Sequence, residues 1–340
     1  MPSREPNLGI VYEHPQWFIP LFAQLEERGV RFDRADVSSH FFDPQVGESR
    51  WTVVLNRMSP SASLRGHGRA IAYTRELLRH LEAAGVDVIN GSRAFALETS
   101  KVAQLRLLRS LGLRAPRARV INDPAQAAAA AEALAFPVVV KPNIGGSGAG
   151  IQRFETPAAL REAVRAGAID LGVEGVALVQ EFLPPRDGHI VRVEVLDGQY
   201  LYAIAVYPDP NAGFNLCPAD ICRPDDPRAQ RGAPPTPPLP AADLCPVDLP
   251  RTALRIEAVT PPRRVIEDVL AIARAGGLDL AGVEYLVNDR DGEIYYYDVN
   301  ALSNFVTDAV RIVGFDPYAV LADYLVRRGR LAERIPAAGL

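Results

Sequence analysis

Cysteine is scarce: Cys217, Cys222 and Cys245 are the only three in 340 residues. So small and odd a count, with no CxxC pair, excludes a disulfide scaffold and a zinc-ribbon framework. It reads as reduced thiols in a cytosolic chain. Basic excess is lacking as well. Lys and Arg number 37 against 41 Asp and Glu, a net charge of −4, so charge gives no pointer to nucleic acid. No run approaches the roughly 20 apolar residues of a membrane span. The opening "MPSREPNLGIVYEHP" has no apolar signal-peptide core. The expectation is a cytoplasmic protein with no nucleic-acid and no membrane partner. Internal repeats are missing, and so is a Gly-Lys-Ser/Thr after any glycine-rich loop, which excludes a Walker P-loop.

What is present is ordinary globular material, 48% hydrophobic and 23% charged, long enough for two or three domains. Over residues 1–96, "LGIVYE", "WTVVLN" and "DVIN" read as strands. They alternate with the helical patterns "WFIPLFAQLEERGV" and "AIAYTRELLRHLEAAGV". Alternation of this kind predicts a parallel α/β domain. A second unit, 97–183, reads helix, strand "ARVIN", Ala-rich helix opening at Asp-Pro, strand "FPVVVKP", helix and strand "VALVQEFL". A third, 184–335, holds two hairpins turning at Asp197-Gly198 and Asp291-Gly292, two helices, and a Pro-rich excursion at 216–260 read as irregular.

Three stretches carry chemistry. "VVVKPNIGGSGAGIQRF" (138–154) puts a lysine at a strand end, then glycines, then "IQRF", a second strand rather than a helix start. Gly146 and Gly148 give GxG, but Ile151 breaks the dinucleotide fingerprint. Backbone N–H groups in such a flap can wrap phosphate oxygens above Lys141; a plain flexible hairpin loop is the alternative. "GVEYLV" and "YYYDVNAL" pair about Asp291-Gly292, setting Glu284 roughly opposite Asp298, with Asn300 on the face of Asp298. Two carboxylates and an amide are hard oxygen ligands suited to Mg²⁺; a solvated polar face is the bland reading. "VQEFL" (179–183) ends a strand before Pro-Pro and can offer backbone groups to an adenine edge, or simply end a strand.

In this order, these stretches resemble the ATP-grasp superfamily, and among its members the RimK/glutathione synthetase-type carboxylate–amine ligases. The likeness spans about residues 52–312. It implies an α/β (α+β) ATP-grasp fold: an N-terminal parallel α/β domain, a central α+β lid, and a C-terminal antiparallel-sheet α+β domain, with ATP sandwiched between the last two. It implies Lys101 and Lys141 on the phosphates and Gly145, Gly146, Ser147, Gly148 and Gly150 in the flap. Gln180, Glu181, Phe182 and Leu183 become the adenine hinge. Glu284, Asp298 and Asn300 become ligands of one or two Mg²⁺ (or Mn²⁺) ions. Arg192 then faces the γ-phosphate, and Asn215 matches an asparagine on the acceptor side. Asp187 or His189 is left to meet the ribose, because Ile190 stands where the family has aspartate. Arg57, and His14 in "YEHPQWF", are candidates for the substrate carboxylate, with Arg65 and His67 behind them.

The reaction so implied is ATP-dependent amide or peptide-bond formation through an acyl-phosphate, releasing ADP and phosphate. The partners are a small-molecule carboxylate donor and an amine acceptor, amino acid or peptide, and relatives are often homo-oligomers (dimers or tetramers). Two other readings compete: a kinase of the same fold without amine capture, and a nucleotide-binding regulatory protein without turnover. The sequence departs from the family at Gly213, where an arginine is usual, and in "ALSNF" after Asn300, where Ser-Pro-Gly is common.

Overall fold

The computed structural model describes residues 8–146, 148–208 and 254–332. Ser147, Asn215, the three cysteines and most of the 216–260 excursion lie outside the described residues. The chain opens with β1 (Leu8–Tyr12), α1 (Ile19–Glu27), β2 (Phe32–Asp36), β3 (Val53–Asn56), α2 (Gly68–Ala83) and β4 (Asp87–Ile89). These form a parallel sheet in the order β2-β1-β3-β4. β2 escaped the sequence reading, since "FDRAD" has little apolar character and lies at the sheet edge.

Next come α3 (Ser92–Glu98) and α4 (Lys101–Ser110), then β5 (Ala118–Ile121), α5 (Ala127–Ala131), β6 (Val138–Pro142), β7 (Gln152–Phe154), α6 (Pro157–Arg165) and β8 (Ala177–Glu181). The four strands make an antiparallel lid sheet, β5-β8-β6-β7, over a small core with α5 and α6. Asp123 and Thr156 cap the α5 and α6 segments as their sequence positions predict. α4, which opens the second unit in sequence, packs instead against the third. Its Leu108 shares a core with Val193, Val283 and Val299.

The remaining elements are β9 (Ile190–Leu196), β10 (Gln199–Tyr207), β11 (Arg255–Ala258), α7 (Arg263–Gly276), β12 (Leu280–Val287), β13 (Ile294–Asn300), α8 (Ala309–Val313) and α9 (Pro317–Ala332). Their antiparallel sheet runs β11-β10-β9-β12-β13. β11 lies at the far end of the 216–260 excursion, past the Pro-rich stretch 223–250 that reads in sequence as an irregular excursion or a mobile loop, and pairs with β10. As a four-residue edge strand with Arg and Glu at its core, β11 gives no apolar signal. One face of this sheet buries α7, while the other shares a core with β1, α1 and α9. The N-terminal and C-terminal sheets are thus welded through a common apolar layer.

Candidate active site

The cavity begins with strand alternation. β9 turns Val191, Val193 and Val195 toward α7, so Arg192 and Glu194 point to the opposite face. β12 turns Ala281, Val283 and Tyr285 the same way, leaving Gly282 and Glu284 beside them. Glu284 stands next to Arg192 on one side and opposite Asp298 on the other.

A bulge in β13 decides that last pairing. Tyr285 pairs with Tyr296, yet Glu284 pairs with Asp298, so Tyr297 is the extra residue. In a regular ladder Tyr297 would oppose Glu284, and Asp298 would turn toward α7. The inserted residue presents both Tyr297 and Asp298 to the cavity.

Two lysines reach this face from separate elements. Lys141 lies near the end of β6, and Lys101 is the first residue of α4. Asn143, two residues beyond Lys141, ties them together. Its Oδ1 accepts from Val102 N at 2.9 Å, and its carbonyl accepts from Lys101 N at 3.2 Å. Ser100 completes the cap, accepting from Ala103 N.

The charges compensate one another. Lys101 Nζ donates to Asp298, and Arg192 Nη1 donates to Glu284 Oε1 at 3.0 Å. Burial raises the Glu284 carboxyl, and the neighbouring Asp298 charge adds to the rise. Burial works the same way on Asp298, but Lys101 and Lys141 outweigh it and hold that carboxyl below its usual range. Burial, helped by the charge of Lys101, pushes Lys141 down to about 8. Glu98, whose Oε2 accepts from Ala301 N and Leu302 N, is raised by burial.

Among the described residues no group of three or more His, Cys, Asp or Glu is placed to hold a metal ion. The Glu284–Asp298 pair with Asn300 is a different kind of set, with two hard carboxylates and one amide. Asn300 donates its Nδ2 to Gly282 O at 3.3 Å, which leaves Oδ1 as the acceptor for a cation. A buried and a half-buried acid facing each other, balanced here by a lysine and an arginine, fit a divalent cation that keeps few protein ligands and shares the rest with phosphate.

The roof is the loop between antiparallel β6 and β7, registered Val138 to Phe154. It rests on the N-terminal domain. A Cβ on Gly146 would lie 3.1 Å from Ser61 Cβ, and Ile144 packs into the core beside α2. Gly150 has φ +72° and brings the returning chain back over Pro142, where a Cβ would sit 3.0 Å from Cγ. The cavity beneath it is about 190 Å³.

Of the residues expected from sequence, Lys101, Lys141, Gly145, Gly146, Gly148, Arg192, Glu284, Asp298 and Asn300 all line this cavity. Others stand apart. Gln180 and Glu181 are buried at the end of β8, away from the cavity wall. Glu181 and Phe182 already donate their N–H groups to Arg117 O and Pro137 O, so these two amides are taken. Leu183 is buried in the shared core. Asp187 sits exposed on a turn with φ +56° and does not reach the cavity. Arg57 is fully buried behind the wall, donating to Ser303 O at 2.8 Å and Asn304 Oδ1 at 3.2 Å, and burial pushes it down to about 10. His14 stacks on Trp17 at 4.9 Å, one ring removed from the cavity. Arg65 and His67 both bind Glu13.

Sequence reasoning missed Trp17, Ser61, Glu98, Tyr297 and Asn304 on the wall. Trp17 lies within "YEHPQWF", and Ser61 lies in "VLNRMSPSA", the stretch at the end of β3. The others arrive through packing of distant elements.

Three stacked layers, with a glycine roof between two lid strands and an acidic hairpin opposite two lysines, define the ATP-grasp fold. Residues 98–209 match the RimK-like ATP-grasp domain. In sequence it is similar to a probable alpha-L-glutamate ligase of Teredinibacter turnerae, 29% identical over 133 residues, 39% of this chain and 43% of the relative. It is also similar to a D-alanine–D-alanine ligase of Gloeobacter violaceus, 34% identical over 122 residues, 35% of this chain and 38% of the relative. The chain thus matches about two-fifths of the length of these curated relatives. In structure it is similar to the ATP-grasp ligase PsnB in complex with a minimal precursor. That TM-score is 0.64 at 22% identity, over 95% of this chain and 99% of the other.

Proposed function

We propose that this protein is an ATP-dependent carboxylate–amine ligase that forms an amide or peptide bond and releases ADP and phosphate. One observation carries the reading: Lys101, Lys141 and Arg192 converge with Glu284, Asp298 and Asn300 in one cavity under the glycine flap. That is the equipment for moving a phosphoryl group. PsnB has been solved with Mg, ADP and a minimal precursor. The two curated relatives are named for glutamate and D-alanine ligation. Both support an amino-acid or peptide substrate here.

Glu284, Asp298 and Asn300 would hold one or two Mg²⁺ ions. Bound there, the metal would neutralise phosphate charge and orient the oxygens for in-line transfer. The protein's own groups do the rest. Lys141 and Lys101 hold the phosphates, and Lys101 leaves Asp298 to do so. The flap amides and Arg192 stabilise the charge that spreads over the transferred group. The substrate carboxylate attacks the γ-phosphorus, ADP leaves, and an acyl-phosphate forms. The flap, seated on Ser61, keeps water from that anhydride. The amine then attacks the acyl carbon, loses a proton and expels phosphate.

The test is purified protein with Mg²⁺ and ATP over paired amino acids and short peptides, reading ADP release and product mass. An amide product with one ADP per bond supports the ligase. A phosphorylated product without amide would replace it with a kinase, and ATP binding with no ADP release would replace it with a regulatory role.

A further inference from the structure

The buried pair Glu194 and Ser303 stands behind Arg192, and nothing in the mechanism above uses it. Arg192 Nε donates to Glu194 Oε1 at 2.6 Å, and Nη2 donates to Ser303 Oγ at 3.0 Å. Ser303 Oγ donates in turn to Glu194 Oε2 at 2.5 Å, closing a ring. Both residues have no solvent exposure, and neither lines the cavity. The guanidinium lies flat over Gly282, where a Cβ would be 2.6 Å from Nε and 2.7 Å from Cζ. From the other side, Arg57 Nη2 holds the Ser303 carbonyl at 2.8 Å. Ser303 belongs to "ALSNF", the stretch that departs from the family pattern.

Among the described residues Glu284 also accepts from Arg192, and Glu284 faces the cavity. A cation bound at Glu284 competes with Nη1 for this carboxylate, while Glu194 and Ser303 keep their hold on Nε and Nη2. We infer that Glu194 and Ser303 are positioning residues, a buried pivot that keeps the Arg192 guanidinium aimed at the terminal phosphate once Glu284 turns to the metal. The inference rests on the ligase reading only in placing a γ-phosphate beside Arg192. A fixed arginine recognises that phosphate, whereas a released one re-pairs with the nearest acid.

The experiment is calorimetric binding of ADP and of a non-hydrolysable β,γ-imido ATP analogue, with Mg²⁺, to the full chain. Wild type is expected to prefer the analogue. Glu194→Gln and Ser303→Ala should cut that preference by about tenfold, the weight of one charge-assisted hydrogen bond, with ADP affinity kept; Ser303→Thr should restore it. Guanidinium ion should rescue analogue binding in Arg192→Ala, but not in Arg192→Ala combined with Glu194→Gln. This second arm decides the matter if a single variant folds poorly. An unchanged preference in Glu194→Gln, or equal rescue in both arginine variants, overturns the pivot. Wild type that binds neither nucleotide overturns the ATP reading itself, a distinct result.

Discussion

Lys141 has two demands to reconcile, as a buried residue of a strand and, in the proposed reaction, as a cation for phosphate. In the ligand-free protein it titrates near 8, because burial and Lys101 disfavour its charge. Between about 8 and its ordinary 10.5 the unfolded chain therefore holds more protons than the folded one, and ligand-free stability rises with pH across that window. Nucleotide affinity moves the opposite way. Anionic phosphate needs the charged amine, so affinity should fall as pH passes about 8, with proton uptake on binding above it. Calorimetry in buffers of different ionisation enthalpy reads both. Affinity that stays flat from pH 7 to 9 would remove Lys141 from the phosphate site. Asp298→Ala deletes one of the proposed cation ligands and the carboxylate that Lys101 donates to. Turnover should drop on the order of 10²–10³-fold and extra Mg²⁺ should not restore it. A rate close to wild type would move the metal site elsewhere.

The flap is an element whose function depends on backbone shape. Gly150 uses a left-handed conformation and lies against Pro142, so Gly150→Ala meets both a dihedral penalty of about 1–2 kcal/mol and a close contact. The expected consequence is leakage rather than simple loss. Free phosphate should rise relative to amide product, because a flap that closes poorly lets water reach the acyl-phosphate. A variant whose phosphate-to-amide ratio stays at the wild-type value would show that the flap does not guard the intermediate. The same logic of local shape explains what was legible beforehand. Strand, glycines and second strand were readable because each is a short-range pattern. The Ser cap that starts α4 is likewise local, but the hold of Asn143 on the amides of Lys101 and Val102 was not readable, because it comes from some forty residues away.

On the scale of the whole molecule, the three layers hold together through buried polar staples as well as the shared core. Asn90, at the end of the N-terminal sheet, adopts φ +52°. Its Nδ2 donates to Leu280 O at 2.7 Å and to Ala301 O, and its Oδ1 accepts from Asp279 N and Leu280 N. These contacts fix the start of β12 and the end of β13, the two strands that carry Glu284 and Asp298. Asn90→Ala leaves buried backbone groups unpaired and should cost about 2–4 kcal/mol, read as a lower denaturant midpoint. Metal-dependent nucleotide binding should weaken with it. A midpoint equal to wild type would mean that the apolar layer alone sets the arrangement.

The sequence by itself determined the residue types and most of the elements. Lysine before a glycine loop, acids in a hairpin and a Ser-capped helix are local chemistry, and local chemistry survives in one dimension. It did not determine which faces meet. Asp298 reaches Glu284 because one extra residue, Tyr297, bulges from β13. A strand slipped by a single residue shows its other face, so sequence spacing alone left the pairing open by that one decisive step. Arg57 and Arg65 carried the same ambiguity. Arg57 reads ahead of Arg65 for a substrate carboxylate, and packing set one against Ser303 and Asn304 and the other against Glu13. The tertiary structure decided the arginines because their partners lie more than fifty residues away, brought in by the cores and not by any neighbouring motif.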